Sequence, residues 1–230
     1  MLRALLGIAL SVALCSTSVL AQAAGLALVL AIDVSASVSA DAYFLQHDGI
    51  ARAFGSLRLI DAVGTVPGGI EVLVLEWSDS DKIRVTVDWQ GVADAESARA
   101  FAAAVRASGR SSHGLTAIGP ALLAAAEQFG RLPAPAARRV IDISGDGIAN
   151  FGMAPALARD RVAAKGITIN GLAILSAEPW LKDYYRRNVI GGDGAFVVAA
   201  RDFDSFAEAI LRKLVQEVAG RVPAGVAQMQ

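Results

Sequence analysis

The sequence predicts an α/β domain with a doubly wound, mostly parallel central sheet and one antiparallel edge strand. Short apolar runs alternate along the chain with amphipathic stretches, which is typical of parallel strands joined by crossover helices. Most of these runs are apolar on both faces, as expected for strands covered by helices on each side. One run, KIRVTVDW, alternates apolar and polar residues and therefore indicates an edge strand with one wet face.

This patterning predicts six strands and six helices. The predicted strands are residues 26–33, 68–78, 82–89, 138–146, 167–175 and 194–200. The predicted helices are residues 40–54, 94–108, 116–129, 154–166, 178–190 and 202–218.

In the first half of the chain, local signals support three strands and two helices. The run LALVLAID at 26–33 is almost continuously apolar, and Ser39 stands where it can cap the helix that follows. Glycines introduce the strand 68–78, and the short link DSD suits a hairpin into 82–89. The helix 94–108 opens with acidic residues, which are favourable at the positive end of a helix.

The second half of the chain continues the alternation. Thr116 stands at the expected N-cap of the third helix, and the breaker LPAPA precedes the strand 138–146. Gly166 has the position of a residue that ends a helix, and the apolar run ITINGLAIL is the next strand. The stretch EPWLKDYYRRNVI is mostly helical, GGDGAF is a turn into 194–200, and the amphipathic stretch 202–218 is the last helix.

Composition excludes several classes of protein. The chain has 230 residues, of which 54% are hydrophobic and 19% charged, which argues against disorder. Its net charge is −1 and it shows no basic stripe, so we expect no nucleic-acid partner. A chain of this length can bury a core without disulfides or a cofactor.

The N-terminus resembles an export signal, which we assign to residues 1–23. Arg3 is followed by an apolar core at 5–14, and the small residues Ala21 and Ala23 frame an A-x-A cleavage signal. The apolar core is short for a membrane span, which needs about 20 residues. We therefore expect a periplasmic or secreted protein; the alternative is an uncleaved anchor, and only then is a membrane a partner.

The remaining chain is expected to form one domain at 24–220, followed by a tail at 221–230. Cleavage of the signal would also remove Cys15, the only cysteine in the sequence. The mature chain would then contain no thiol, which is consistent with an oxidising compartment.

Polar side chains follow two of the predicted strands and begin one helix. Asp33, Ser35 and Ser37 follow the first strand, Asp146 ends the middle strand, and Thr116 opens a helix. In parallel sheets, ligands bind beyond the carboxyl ends of the strands, where the strand order reverses. Carboxylates and hydroxyls are hard oxygen ligands of the kind that bind Mg²⁺.

These residues resemble the metal-ion-dependent adhesion site (MIDAS) of von Willebrand factor type A (VWA) domains. The carriers of the resemblance are D-x-S-x-S at 33–37, the threonine of GLTAIG and the last aspartate of DISGD. The segments LEWS, RRVIDISGDG and GITINGLAIL are also similar to a bacterial exported VWA group of unassigned function. The resemblance covers nearly the whole mature chain and implies the Rossmann-like VWA fold.

The resemblance also implies a ligand set and a partner. The cation would be Mg²⁺, with Mn²⁺ or Ca²⁺ as alternatives, and a protein partner presenting an acidic side chain would complete its coordination. The five residues implied as metal ligands, directly or through water, are Asp33, Ser35, Ser37, Thr116 and Asp146.

Simpler interpretations exist for each of these residues. The serines after the first strand compete for one helix N-cap, Thr116 is an ordinary cap, and Asp146 with Gly147 is an ordinary turn. The stretch from Asp142 to Gly147 also mimics the start of an EF-hand loop. We reject that interpretation because Met153 stands where the closing glutamate belongs.

Other charged residues near these motifs have structural interpretations. We expect Asp142 to pair with Arg138 or Arg139 rather than to support the cation site. Glu76 and Asp79 follow a strand and are candidate bases, but we expect both to belong to the hairpin.

The function that these observations favour is an exported, divalent-cation-dependent protein-binding module without catalytic activity. One alternative is a structural or assembly domain in which the metal is incidental. The other is a metal-dependent hydrolase that uses the cation to activate water. Against a hydrolase, the sequence has no G-x-S-x-G elbow, no Cys/His pair and no evident general base beside the motif.

Overall fold

The structure, a computed structural model, describes residues 23–220. Its strands are β1 Ala24–Asp33, β2 Ile70–Trp77, β3 Ile83–Val92, β4 Ala136–Gly145, β5 Thr168–Ile174 and β6 Val197–Ala200. Its helices are α1 Ala40–Phe54, α2 Leu57–Gly64, α3 Ala95–Ala107, α4 Ile118–Gln128, α5 Pro155–Ala163, α6 Leu181–Asn188 and α7 Phe206–Ala219. A short 3₁₀ turn, Phe129–Arg131, follows α4.

The strands form one sheet in the order β3-β2-β1-β4-β5-β6. All neighbours are parallel except β2 and β3, which pair antiparallel at one edge. The predicted α/β class and the antiparallel edge strand are therefore confirmed. The chain moves outward from β1 to β3 and then returns to place β4 on the other side of β1. The strand order thus reverses between β1 and β4, where ligand sites of such sheets are found.

The sheet is covered by a layer of helices on each face. Leu28 and Leu30 of β1 pack in the layer of α1, α2, α3 and α7, which contains Phe54. Val29 and Ala31 face the opposite layer, which α4, α5 and α6 form. Full burial of one such leucine contributes about 2 kcal/mol. Because both faces of β1 are buried, its sequence is apolar at almost every position.

All of the predicted strands and helices are present, and α2 is additional. Gly55 and Ser56 separate α2 from α1, and only Leu59 and Val63 are buried in its eight residues. Two buried positions one turn apart are too weak a pattern to reveal so short a helix. The edge strand also continues to Val92, beyond its predicted end.

The two predicted terminal segments lie mainly outside residues 23–220. The predicted signal peptide, apart from its last residue, and the predicted tail at 221–230 lie outside the described residues. Among the helices of residues 23–220, none combines the length and the apolar character that crossing a membrane requires.

A buried charged cluster lies between the sheet and α7. The Lys213 ammonium is 2.6 Å from a carboxylate oxygen of Asp142 and 2.6 Å from one of Glu217. Asn170 on β5 donates to the same Glu217 oxygen at 2.8 Å. Burial, followed by the Asp142 charge, raises the pKa of Glu217 to about 8. Glu217 therefore holds a proton near neutral pH, while Lys213 and Asp142 balance each other.

The expected pairing of Asp142 with Arg138 or Arg139 is wrong. Arg138 instead donates to two carbonyl oxygens in the last turn of α7, a favourable place for a cation. Arg139 donates to the Lys165 carbonyl oxygen before β5. The partner of Asp142 is Lys213, because α7 packs on β5 and β6 and its Lys213 side chain meets that of Asp142 on the neighbouring β4.

Candidate metal centre

The predicted cation ligands lie at the carboxyl ends of β1 and β4. Asp33 is the last residue of β1, and Asp146 follows the last residue of β4. The two strands are adjacent in the sheet, with Ile32 opposite Ser144. The loop after β1 and the loop after β4 therefore meet where the strand order reverses.

Four of the five predicted ligands are joined by hydrogen bonds. The Ser35 amide donates to Asp33 Oδ1 at 2.8 Å, and the Ser35 and Ser37 hydroxyl oxygens are 3.2 Å apart. The Ser37 hydroxyl donates to Asp146 Oδ1 at 2.7 Å. A continuous chain of hydrogen bonds thus links two carboxylates from two neighbouring strands.

The helix-cap interpretation does not account for Ser35 and Ser37. The N-cap of α1 is Ser39, whose hydroxyl oxygen accepts a hydrogen bond from the Ala42 amide at 3.1 Å. The role predicted for Ser39 is therefore confirmed, and the other two hydroxyls point towards the carboxylates instead.

Thr116 is not the N-cap of its helix, which corrects that prediction. Helix α4 begins after Ala117 without a side-chain cap. The Thr116 amide instead donates to the Asn150 side-chain oxygen at 2.8 Å, and the Asn150 amide donates to the Thr116 carbonyl at 3.0 Å. The Thr116 hydroxyl lies 4.0 Å from the point where a Cβ on Gly147 would be, so Thr116 borders the residue that follows Asp146. Asn150 was not among the predicted site residues, because no local sequence pattern marks it.

Arg110 joins the loop before α4 to the loop after β1. Its guanidinium donates to the carbonyl oxygens of Val34 and Ser35 at 2.7 and 3.0 Å. The Ala36 amide also donates to the Gly114 carbonyl at 2.8 Å. These bonds hold the Thr116 segment against the serine loop.

Glu76 does not belong to the hairpin, contrary to expectation. It is buried near the end of β2, where its carboxylate lies 3.0 Å from His47 Nε2 and accepts a hydrogen bond from Tyr43 at 3.0 Å. Its other oxygen accepts from the Ser111 amide at 2.7 Å. Burial alone would raise the pKa of Glu76, but the bonds from His47 and Ser111 lower it below its usual value. Glu76 thus anchors α1 and the Arg110 loop.

Asp79 does belong to the hairpin between β2 and β3, as predicted. It lies 2.6 Å from the Lys82 ammonium within the turn. It also accepts a hydrogen bond from the Leu115 amide at 2.5 Å, so the hairpin supports the segment that carries Thr116.

The charge at the centre of the site is poorly compensated by protein groups. Asp33 is fully buried, and its Oδ2 has no hydrogen-bond partner among the described residues. Burial raises the pKa of Asp33 to about 7, and the Asp146 charge adds to the rise against the lowering bonds from Ser35. Buried carboxylate oxygens normally have a partner. The donor set of two carboxylates and three hydroxyls fits a hard divalent cation, which would supply one.

Gly145 and Tyr185 border the unpartnered oxygen. A Cβ on Gly145 would lie 2.8 Å from Asp33 Oδ2 and 2.7 Å from the Tyr185 hydroxyl, so only glycine fits here. The Tyr185 hydroxyl is also buried without a partner in residues 23–220, and burial raises its pKa further above the usual value. Tyr185 was not among the predicted site residues, because a tyrosine on α6 carries no local sign of contact with β1.

Within the described residues, no group of three or more His, Cys, Asp or Glu side chains is placed to hold a metal. A cation site here therefore depends on the serine and threonine hydroxyls in addition to the two aspartates.

The sequence matches one protein family, described as "Protein of unknown function (DUF1194)", over residues 23–222. No curated protein matches it.

Solved structures with a similar fold include several VWA domains. Proximal thread matrix protein 1 from the mussel byssus superimposes with a TM-score of 0.64 at 16% identity, over 86% of this chain and 48% of that one. A second structure of that protein, with a zinc-occupied MIDAS motif, gives 0.61 at 15% identity over 86% and 49%. The present chain thus spans about half of the mussel protein.

Two bacterial domains are similar in the same way. A von Willebrand factor type A protein from Catenulispora acidiphila gives a TM-score of 0.54 at 21% identity, over 84% of this chain and 42% of that one. The vWF domain of the type V pili tip protein Mfa5 from Porphyromonas gingivalis gives 0.59 at 10% identity, over 85% and 95%. These similarities show that the chain has the VWA fold.

Proposed function

The chain belongs to the family described as "Protein of unknown function (DUF1194)", and we propose that it is a divalent-cation-dependent protein-binding module. The observation that carries the proposal is the buried Asp33 carboxylate, whose Oδ2 lacks a partner beside a chain of hydroxyls leading to Asp146. Burying an ionised carboxylate without compensation is unfavourable, so a bound cation is the natural counter-charge.

The proposed cation is Mg²⁺, and Mn²⁺ or Ca²⁺ would meet the same oxygen donors. Two carboxylates neutralise the divalent charge, while neutral hydroxyls occupy coordination positions without adding charge. A bound cation would supply an electrophilic position that a carboxylate from a partner completes. The residues proposed to hold it are Asp33, Ser35, Ser37, Thr116 and Asp146.

Protein binding is favoured over catalysis because the nearby acid and base side chains, Glu76 and His47, already have partners within the protein. Both Glu76 oxygens accept hydrogen bonds, and its contact with His47 is part of the packing of α1. Neither group is placed as a free base beside the hydroxyls. The names of two proteins with this fold, a thread matrix protein and a pili tip protein, support a binding role as well.

We also propose that the module acts in the periplasm or outside the cell, on a partner that presents an acidic side chain. The location rests on the signal-like sequence at residues 1–23. If that segment is retained as an anchor, the module acts at the membrane surface.

Thermal unfolding of the exported chain tests the cation site. The midpoint is measured in chelator and then in rising Mg²⁺ or Mn²⁺. Binding at about 100 times the dissociation constant stabilises by about 2.7 kcal/mol, which corresponds to a rise on the order of 5–10 °C. Asp33→Ala should abolish the rise, whereas Asp41→Ala, an exposed aspartate in the first turn of α1, should keep it.

A structural domain with an incidental metal is the competing function. It predicts a cation-dependent midpoint without cation-dependent binding of any acidic ligand. If wild type and Asp33→Ala respond alike, or neither responds, the cation site is refuted and the carboxylates are only part of a loop.

A further inference from the structure

Four large, solvent-exposed apolar side chains lie on loops at the same edge of the sheet as the candidate metal centre, and we call them the apolar rim. Leu115, Ile148, Phe151 and Trp180 have exposed fractions of 46%, 39%, 44% and 47%. Leu115 immediately precedes Thr116, two members follow β4, and Trp180 follows β5. All four therefore lie on loops at the carboxyl edge of the sheet.

Hydrogen bonds and one ring contact connect the loops that carry the rim. The hydrogen bonds between Thr116 and Asn150 join the Leu115 segment to the loop after β4. That loop is joined to α6 because the Ala149 amide donates to the Tyr184 hydroxyl at 3.2 Å. The Trp180 ring meets the Tyr184 ring edge-on, with centroids 6.4 Å apart.

The loop that carries Ile148 and Phe151 is held in place by close packing on α4. Gly119 packs directly under the Met153 carbonyl, where a larger residue would clash with the backbone. Gly152 has a φ of +78°, and a Cβ there would lie 2.7 Å from the Pro120 ring. Residues 149–155 of this loop line a depression of about 430 Å³. The apolar surface and the depression are therefore formed before any partner arrives.

This concentration of apolar side chains is not a general property of the surface. Within residues 23–220, seven large hydrophobic side chains are exposed, and four of them belong to the rim. Leu57, with 73% exposed, lies on α2 after the 15-residue α1, which runs from the carboxyl edge of the sheet to the opposite edge. A concentration of exposed apolar side chains beside a polar site is typical of a protein interaction surface.

We propose that the apolar rim and its depression bind a hydrophobic side chain that stands next to the partner's carboxylate. The occupant is a protein segment with an aspartate or glutamate followed or preceded closely by an aromatic or large aliphatic residue. The inference rests on the proposed function, because it takes the partner's carboxylate to lie at the candidate metal centre, at the same edge of the sheet as the rim. The carboxylate gives dependence on the cation, and the apolar side chain selects among acidic partners.

Selection of short random peptides displayed on phage tests the rim. The chain is immobilised in millimolar Mg²⁺, and bound phage are released with chelator, so that only cation-dependent binders are sequenced. The expected result is enrichment of an acidic residue with a Phe, Trp, Leu or Ile within three positions. One enriched peptide is then synthesised for affinity measurements with purified variants.

Phe151→Ser and Trp180→Ser should each weaken the peptide about tenfold, the loss of a typical interface anchor. Leu57→Ser makes the same apolar-to-polar change at the opposite edge of the sheet, so it should leave the affinity for the peptide unchanged. None of the three should alter the Mg²⁺-dependent rise in unfolding midpoint, which separates the rim from the metal centre. If Trp180→Ser does not fold, Phe151→Ser and Ile148→Ser decide.

Three results would overturn the inference. Chelator-released peptides without apolar enrichment, or with unchanged affinity for Phe151→Ser, refute the rim but leave the proposed function standing. A complete lack of chelator-released binders refutes the proposed function and the rim together. A Mg²⁺-dependent dimer that Phe151→Ser dissolves, detected by sedimentation, assigns the surface to a second copy of this chain instead of an acidic partner.

Discussion

Replacing Lys213 with methionine removes the buried ammonium group that lies between two buried acids, Asp142 and Glu217. Lys213 is fully buried, 2.6 Å from both Asp142 and Glu217, while Glu217 is protonated near neutral pH because burial raises its pKa to about 8. The variant therefore leaves one buried negative charge, on Asp142, without compensation. Removing one partner of a buried pair costs about 3–5 kcal/mol. For a chain of this size the midpoint of thermal unfolding should fall by roughly 6–20 °C.

Calorimetry and urea unfolding at pH 7 measure this loss. The matched control is Arg212→Met, the neighbouring residue on α7, whose ion pair with Glu208 is exposed. Exposed pairs contribute about 0–1 kcal/mol, so the control should unfold almost like wild type. The double variant Lys213→Met with Asp142→Asn removes the isolated charge and should regain a substantial part of the stability.

Two results would contradict this reasoning. A loss below about 1 kcal/mol for Lys213→Met would mean that water reaches the cluster and solvates the Asp142 carboxylate. No recovery in the double variant would mean that Lys213 acts through packing of its aliphatic stem and not through its charge.

Three further predictions concern pH and the site. Between pH 4.5 and about 8, the folded protein keeps a proton on Glu217, whereas the unfolded chain loses it above the ordinary pKa of 4.5. The free energy of unfolding should therefore fall as the pH rises through this range. Glu217→Gln should flatten this part of the pH profile measured by urea unfolding. Gly145→Ala should reduce the Mg²⁺-dependent rise in midpoint, because its Cβ would lie 2.8 Å from the Asp33 carboxylate. Gly147→Ala, whose Cβ would meet nothing nearer than 4.0 Å, should keep most of the rise. Asp146→Asn should slightly raise the midpoint in chelator, since it removes a negative charge that acts on buried Asp33, and should weaken the response to Mg²⁺; a clearly lower midpoint in chelator would argue against mutual repulsion.

The fold was predictable because its signals are local and repeated. The apolar run of β1 indicates burial on both faces, and the alternation in β3 indicates an edge strand. Neither pattern depends on residues elsewhere in the chain. Asp33, Ser35 and Ser37 lie within five consecutive residues at the end of β1, so their proximity is determined by the chain itself. Helix α2 escaped prediction because its pattern covers only two turns.

The tertiary structure alone decided which distant groups meet. The sequence indicates that Asp142 needs a partner, but whether an arginine nearby or Lys213 on the last helix provides it depends on how α7 packs across the sheet. Asn150 and Tyr185 likewise lie at the site only because of tertiary packing, of the loop after β4 and of α6 respectively. The sequence by itself determined the class of fold, the positions of the strands and the acidic and hydroxyl residues at their ends, because these follow from periodicity and adjacency along the chain. Contacts between residues far apart in the chain depend on the geometry of the packed layers, which no local pattern records.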